Sequence, residues 1–217
     1  MRYQTKAALG VGAVLMGALA FVLLVDRGDE GPVAQASTSE DSVLVRDDSR
    51  VLGEQGTSDV TFVEFLDFEC ESCGAAFPIV EQLREKYAGQ VTFVARYFPL
   101  DSHFNAERAA RAVESAARQG KFEEMYQMMF QTQLEWGEEQ EPHDDLFRGY
   151  AEELGLDMAE YDTDYASAEV KDRVQRDVDD GLELGVQGTP TFYIDGELVQ
   201  PESAEDLAVA LDAALAE

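Results

Sequence analysis

The sequence has 217 residues and a formal net charge of -29. All 45 acidic residues lie after residue 25, so residues 26–217 combine 45 acids with 14 Lys and Arg, a net charge of -31. A surface this acidic repels nucleic-acid phosphates and anionic lipids, which excludes both as partners. The acidity favours solubility in a salty or exposed medium, and a surface for basic substrates is the alternative.

The first predicted element is a membrane anchor. Arg2 and Lys6 precede an uncharged apolar run over residues 7–25, which as a helix would span about 28 Å, close to the hydrocarbon thickness of a bilayer. The positive flank predicts a cytoplasmic N-terminus (residues 1–6) and an exported remainder of the chain. The alternative is a signal peptide cleaved at Ala34-Gln-Ala36. Residues 26–42 are rich in small residues and acids, and predict a flexible linker.

A strand, a helix and a second strand follow. The apolar run Thr61–Leu66 predicts a buried strand, and Ala75–Tyr87 predicts a helix whose first turn carries the cysteines. Pro78 should kink this helix, because proline lacks the amide donor and clashes with the preceding turn. Val91–Arg96 predicts a second strand, parallel to the first. A short edge strand or hairpin is expected over residues 42–52.

The rest of the chain predicts a helical block and then a hairpin. Helical spacing of apolar residues predicts four helices, over Ala106–Gln119, Phe122–Thr132, Asp144–Leu154 and Ala166–Leu184. Their Met and aromatic residues indicate a core rather than a cofactor site. Asp195-Gly196 lies between two apolar runs and predicts a tight hairpin turn, because both turn positions need positive φ. Ser203 is expected to begin a last helix that reaches Ala216.

The only two cysteines of the chain, Cys70 and Cys73, form a C-x-x-C motif between the first strand and its helix. This arrangement is typical of a thiol–disulfide redox site. Backbone N–H groups and the dipole at a helix N-terminus stabilise a thiolate, so we expect Cys70 to be the exposed, reactive sulfur. Cys73, one turn further, is expected to be the buried partner that resolves the mixed disulfide at Cys70.

Three motifs resemble the DsbA family of thioredoxin-fold thiol–disulfide oxidoreductases: F-x-C-x-x-C at residues 68–73, the helix proline Pro78, and G-T-P-T-F-Y-I-D-G at residues 188–196. R-Y-F-P-L at residues 96–100 is similar to membrane-anchored DsbA-like proteins of high-GC Gram-positive bacteria. The resemblance implies an α/β thioredoxin fold (βαβ–ββα). Its thioredoxin-like parts would be residues 43–104 and 180–217, and residues 105–179 would form an inserted helical subdomain. The predicted transmembrane helix would precede the whole domain.

The resemblance also implies further site residues. The Thr189-Pro190 bond is expected to be cis and to lie against the cysteines, where the backbone of Thr189 would pair with an extended substrate. Glu64 is the one acid in the first strand, six residues before Cys70, where the family has a buried acid. We expect a raised pKa for Glu64 and a role in handling the proton of Cys73; an exposed edge position is the alternative.

Some residues depart from the strongly oxidising members of the family. The dipeptide between their cysteines contains a His, whereas this chain has Glu71-Ser72. Glu69 and Glu71 flank Cys70 and should oppose its thiolate. Thr189, rather than Val, precedes the proline, which the resemblance associates equally with reducing or isomerising relatives. These departures predict a milder oxidant.

The function predicted is therefore that of an extracytoplasmic enzyme, anchored in the cell membrane by one span, that forms disulfides in exported proteins. Its partners would be cysteine-containing exported proteins and a membrane redox partner that reoxidises the site. The enzyme is expected to be a monomer without cofactor or metal.

The alternatives are a disulfide reductase or isomerase, a copper-delivery or zinc protein, and a structural disulfide. The metal sites are disfavoured because His103 and His143 are the only histidines and the copper-delivery spacing is C-x-x-x-C. A C-x-x-C bridge closes too small a loop to stabilise a fold well.

Overall fold

A computed structural model describes residues 43–217. The predicted cytoplasmic segment, membrane anchor and linker (residues 1–42) lie outside this range. None of the helices between residues 43 and 217 has the length and apolar character that crossing a bilayer requires.

The described residues form a five-stranded mixed sheet, seven helices and their connections. The strands are β1 (Arg50–Val51), β2 (Thr61–Leu66), β3 (Thr92–Tyr97), β4 (Thr191–Ile194) and β5 (Glu197–Val199). The helices are α1 (Glu71–Lys86), α2 (Ala106–Arg118), α3 (Phe122–Trp136), α4 (Asp144–Glu153), α5 (Met158–Ala166), α6 (Ala168–Glu183) and α7 (Ala204–Ala214).

The strand order in the sheet is β1-β3-β2-β4-β5. β2 pairs in parallel with β3, as the predicted βαβ unit requires, and β4 pairs antiparallel with β2. The hairpin turn between β4 and β5 lies at Asp195 and Gly196, whose φ angles of 49° and 85° confirm the predicted turn. The short predicted edge strand is β1, which pairs with β3. This is the predicted thioredoxin fold with helices α2–α6 inserted between β3 and β4.

β2 lies at the centre of the sheet and is buried on both faces. Phe62 and Leu66 face the larger apolar core, whereas Val63 and Phe65 face a smaller one. The alternation of side chains along a strand places Glu64 on the face of Phe62 and Leu66. The predicted core stripe of α3 is confirmed, since all of its Met and aromatic members are buried: Phe122, Met125, Tyr126, Met129 and Phe130.

The helical insertion contains one helix more than the sequence predicted. α5 follows Asp157, whose carboxylate accepts hydrogen bonds from the backbone N–H of Ala159 (2.9 Å) and Glu160 (3.1 Å). An Asp followed three residues later by Glu is a local helix-start signal, which the spacing of apolar residues alone does not reveal. α1 begins four residues before the predicted Ala75, and α3 extends four residues beyond Thr132.

A buried ion-pair network joins β3 to α6. The fully buried guanidinium of Arg96 donates hydrogen bonds to Asp177 (2.6 Å) and Asp180 (2.5 Å), and to the carbonyl oxygens of Val43 and Leu44 (2.8 and 2.6 Å). A buried charge is tolerated only where its hydrogen-bonding groups are paired. This network therefore fixes α6, and the segment that contains Val43 and Leu44, against one face of the sheet.

Candidate active site

The two cysteines lie at the N-terminus of α1. Cys70 is the N-cap residue and Cys73 belongs to the first turn, and both are thiols in this structure. The expectation that Cys70 is exposed was wrong, because only 7 % of the residue is accessible. The physical reason is its contact with the loop before β4: the Sγ of Cys70 lies 3.3 Å from the carbonyl oxygen of Thr189. The burial of Cys73 is as predicted.

The surroundings of Cys70 favour its thiolate. Its pKa is lowered to about 5, first by a hydrogen bond from the Cys73 thiol, against the opposing effect of burial. The Thr189 side chain and the backbone N–H groups of Cys73 and Ser72 lower it further. These N–H groups belong to the first turn of α1, where no helical carbonyl is available to them. Cys70 is thus ionised at neutral pH, and the expected opposition of Glu69 and Glu71 does not prevent this.

Cys73 is held as a neutral thiol. Burial raises its pKa well above the ordinary value, and its hydrogen bond with Cys70 and the nearby Glu64 carboxylate raise it further. The backbone N–H of Asp67 lies 3.5 Å from its Sγ and donates to it. The two sulfurs therefore differ in charge, because Cys70 lies at the helix N-terminus and Cys73 is buried in the core.

Glu64 lies beneath the cysteines in the central strand, between Ala95 of β3 and Phe192 of β4. Its pKa is raised to about 8, chiefly by burial and then by the charges of Glu81 and Cys70. One carboxylate oxygen is buried without a hydrogen-bond partner among the described residues. The predicted burial and raised pKa are confirmed, so Glu64 carries a proton at neutral pH; its part in the chemistry stays a prediction.

The loop before β4 completes the site. The Thr189-Pro190 bond is cis, as predicted, and the next residue, Thr191, pairs with Phe65 of β2. This register brings the carbonyl group of Thr189 to the sulfur of Cys70. The Thr189 hydroxyl is buried and makes no hydrogen bond of good geometry within residues 43–217, so its proton can turn toward the Cys70 sulfur, whose pKa it lowers.

Gln133 is a site residue that sequence reasoning missed. Its side-chain amide donates hydrogen bonds to the carbonyl oxygens of Phe68 (2.7 Å) and Cys70 (2.8 Å). Gly74 leaves room for this contact, because a Cβ at that position would lie 2.0 Å from Oε1 of Gln133. No local signal distinguishes Gln133 from other glutamines of α3, since its partners lie more than 60 positions away in the sequence.

The loop between β2 and α1 also carries two buried acids. The Glu69 carboxylate accepts a hydrogen bond of 2.5 Å from the backbone N–H of Asn105, the residue before α2. Asp67 lies 2.7 Å from Nδ1 of His103, which belongs to the β3–α2 loop. The two histidines lie apart along the chain, His103 in the loop before α2 and His143 at the start of α4. Across residues 43–217, no group of three or more His, Cys, Asp or Glu is arranged to hold a metal ion.

Two concave surfaces include sequence neighbours of the site residues. A groove of about 250 Å³ includes Ser72 and is lined mainly by small and apolar residues of α1, β4 and the start of α7. A second cavity, of about 550 Å³, follows the chain from Gly185 to Thr191 and includes Pro190.

Comparison with known proteins identifies the fold and the family. The family model described as thioredoxin matches residues 46–213. A thioredoxin-like oxidoreductase from Silicibacter pomeroyi is 28% identical, with a TM-score of 0.69, over 83% of this chain and 99% of that one. The α-DsbA1 of Wolbachia pipientis is 17% identical, with a TM-score of 0.67, over 80% of this chain and 93% of its own. The latter likeness concerns the fold.

The relatives with curated names match this chain over only a part of their own length. A protein of Mycobacterium sp. named Na(+)/H(+) antiporter NhaA 1 is 36% identical over 160 residues, 71% of this chain and 25% of that protein. The chain thus spans about a quarter of the curated relatives that it matches, and their name describes those larger proteins. The predicted likeness to the fold of DsbA proteins is confirmed, and the chain belongs to the thioredoxin family.

Proposed function

We propose that the domain catalyses disulfide formation in exported proteins, with Cys70 and Cys73 as its redox pair. The observation that carries this proposal is the pairing of Cys70, which lies at the N-terminus of α1 with a lowered pKa, with Cys73, which is buried as a neutral thiol. A dithiol in which one sulfur is stabilised as a thiolate has a stable reduced form. Its disulfide accordingly accepts electrons readily.

The reaction would run by two thiol–disulfide exchanges. A substrate thiolate attacks Sγ of Cys70, the Cys70–Cys73 bond breaks, and Cys73 leaves as a thiolate that takes a proton from Glu64. The second substrate thiolate attacks the substrate sulfur of this mixed disulfide and releases Cys70 as a thiolate. The substrate loses two electrons and gains a disulfide. The enzyme keeps both electrons until a redox partner in the membrane removes them.

The strength of the oxidant follows from the pKa of Cys70. Reactive cysteines of this fold have a pKa of about 7 in thioredoxin and about 3.5 in DsbA. The value of about 5 lies between these two. It supports the milder oxidant that the Glu71-Ser72 dipeptide predicts.

The cellular setting is part of the proposal. The enzyme would be held in the cell membrane by residues 7–25, with its N-terminus in the cytoplasm and the domain outside the cytoplasm on the linker of residues 26–42. It would act as a monomer on cysteine-containing exported proteins. The net charge of -31 over residues 26–217 supports an exposed, salty medium rather than contact with nucleic acid.

Trapping of mixed disulfides tests the proposal. Without Cys73, the intermediate at Cys70 cannot be resolved within the enzyme, so Cys73→Ala should accumulate disulfide-linked exported proteins and the redox partner. A variant lacking both cysteines is the control and should trap nothing. The absence of exported proteins among the adducts of Cys73→Ala would refute the proposal.

Two further measurements separate an oxidase from its alternatives. Cys70→Ser should abolish both insulin reduction and the oxidation of reduced client proteins, and retention of either activity would contradict the assignment of Cys70. Redox titration against glutathione should place the potential between those of thioredoxin and DsbA, which are about -270 and -120 mV. A potential as low as that of thioredoxin would favour the reductase alternative.

A further inference from the structure

Asp67 contacts both cysteines through its backbone. Its N–H group donates to Sγ of Cys73 at 3.5 Å, and its carbonyl oxygen accepts from the backbone N–H of Cys70 at 3.2 Å. A change in the position of Asp67 would therefore change the surroundings of both sulfurs.

The Asp67 carboxylate is buried and accepts three hydrogen bonds. The backbone N–H of Glu69 donates to one oxygen at 2.8 Å, and that of Leu100 donates to the other at 3.0 Å. The third partner is Nδ1 of His103, at 2.7 Å from the second oxygen. Of these groups, only the imidazole can bring a full positive charge to a carboxylate that has no contact with water.

We propose that His103 is a positioning residue of the redox site, which in its protonated form neutralises Asp67 and thereby keeps Cys70 a reactive thiolate. This role rests on the proposed function. The dipeptide between the cysteines, Glu71-Ser72, contains no cation. His103 would supply a positive charge from the β3–α2 loop instead.

The charges around His103 favour its protonated form. Burial alone would lower its pKa, but the hydrogen bond and charge of Asp67, followed by the charges of Cys70 and Glu69, raise it above the ordinary value. A cleft of about 600 Å³ gives the ring, 19 % of whose side chain is exposed, access to solvent protons. The charged residues that share this cleft come from three elements: Asp101 from the same loop, Glu107 and Arg108 from α2, and Lys171 and Asp172 from α6.

The direction in which the reactivity of Cys70 depends on pH follows from the protonation of His103. Because the pKa of His103 is raised in the folded protein, its contribution is complete below the ordinary histidine pKa of about 6.5 and is lost as the pH rises through the folded value. Above that pH, the uncompensated Asp67 charge opposes the thiolate. The pH profile of Cys70 reactivity should therefore show a second inflection, at a pH above that at which the Cys70 sulfur itself titrates.

The test replaces each histidine of the chain separately. In His103→Gln, the pKa of Cys70, measured from ultraviolet thiolate absorbance, should rise by about one unit, and the second inflection should disappear. His143→Gln is the matched control. It should leave the pKa of Cys70 and the second inflection unchanged, because His143, at the start of α4, contacts Glu139. An unchanged pKa and pH profile in folded His103→Gln would overturn the proposal.

A second variant separates charge from structure. His103→Lys keeps a cation that does not titrate near neutral pH, so it should retain a low pKa of Cys70 but lack the second inflection. A raised pKa of Cys70 in folded His103→Lys would show that the ring, rather than its charge, matters and would overturn the proposal. The thiolate titration does not depend on catalysis. Failure of the proposed function would instead appear as a wild-type protein with the second inflection but no oxidation of client proteins.

Discussion

The side-chain amide of Gln133 donates a hydrogen bond of 2.8 Å to the carbonyl oxygen of Cys70. A helix of the insertion thus holds the turn that carries Cys70 and Cys73. The same amide satisfies the carbonyl oxygen of Phe68, which lies just before that turn. The inserted subdomain therefore contributes directly to the geometry of the candidate active site.

Replacing Gln133 should destabilise the domain. Gln133→Leu keeps most of the side-chain volume but leaves the buried carbonyl of Phe68 without this donor, and we expect a loss of about 2 kcal/mol in the free energy of unfolding. Urea denaturation measures it. Gln131→Leu, at an exposed position of the same helix, is the control and should change stability by less than about 0.5 kcal/mol. Equal effects of the two substitutions would contradict the role of the hydrogen bonds.

The hydroxyl of Thr189 should help to ionise Cys70. Because valine has the same shape but no donor, Thr189→Val should raise the pKa of Cys70 from about 5 toward the ordinary value, and slow its alkylation at mildly acidic pH. Thr189→Ser keeps the hydroxyl and should retain the low pKa. The alkylation rate as a function of pH measures both variants. An identical pH profile for wild type and Thr189→Val would exclude this role of the hydroxyl.

Glu64 should make the stability of the domain depend on pH. Its pKa is about 8 in the folded protein and near the ordinary glutamate value of about 4.3 when unfolded, so the folded state binds the proton more tightly. The resulting stabilisation is present at low pH and is lost as the pH rises through 8. Its full extent is on the order of 5 kcal/mol.

Glu64→Gln removes this dependence. Relative to wild type, the variant should gain several kcal/mol of unfolding free energy between about pH 5 and pH 9. The measurement is urea denaturation of both reduced proteins across this range. Cys70 adds an opposite trend, because its lowered pKa contributes stability that is lost as the pH falls through about 5, but this trend is common to both proteins and largely cancels in the difference. A constant difference between the two proteins would refute the raised pKa.

The buried network around Arg96 predicts a large effect on stability. Arg96→Met removes the buried guanidinium that pairs with both Asp177 and Asp180, and we expect a loss of about 3–5 kcal/mol. Thermal or urea denaturation measures it. Arg148→Met is the control, since Arg148 pairs with Asp162 at the surface, where ion pairs contribute little. A small loss in Arg96→Met would mean that the network is not needed to hold β3 against α6.

Local patterns in the sequence were sufficient for most elements of the fold. Thr61–Leu66 is a strand with the predicted bounds, and the Asp195-Gly196 turn follows from the conformational needs of two adjacent residues. β3 is shifted by one residue from the predicted Val91–Arg96, since strand ends depend on pairing with a distant strand. α5 was missed although its start signal at Asp157 is local.

The sequence by itself determined the groups of the candidate site: one pair of cysteines at a helix start, an acid six residues earlier, and a Thr-Pro motif before a hairpin. These features depend on neighbours along the chain. Only the tertiary structure decided that Cys70 is nearly buried, that Gln133 holds its carbonyl group, and that Asp67 lies against His103. Burial, hydrogen-bond partners and pKa depend on groups that folding brings together from distant positions, and local patterns do not contain that information.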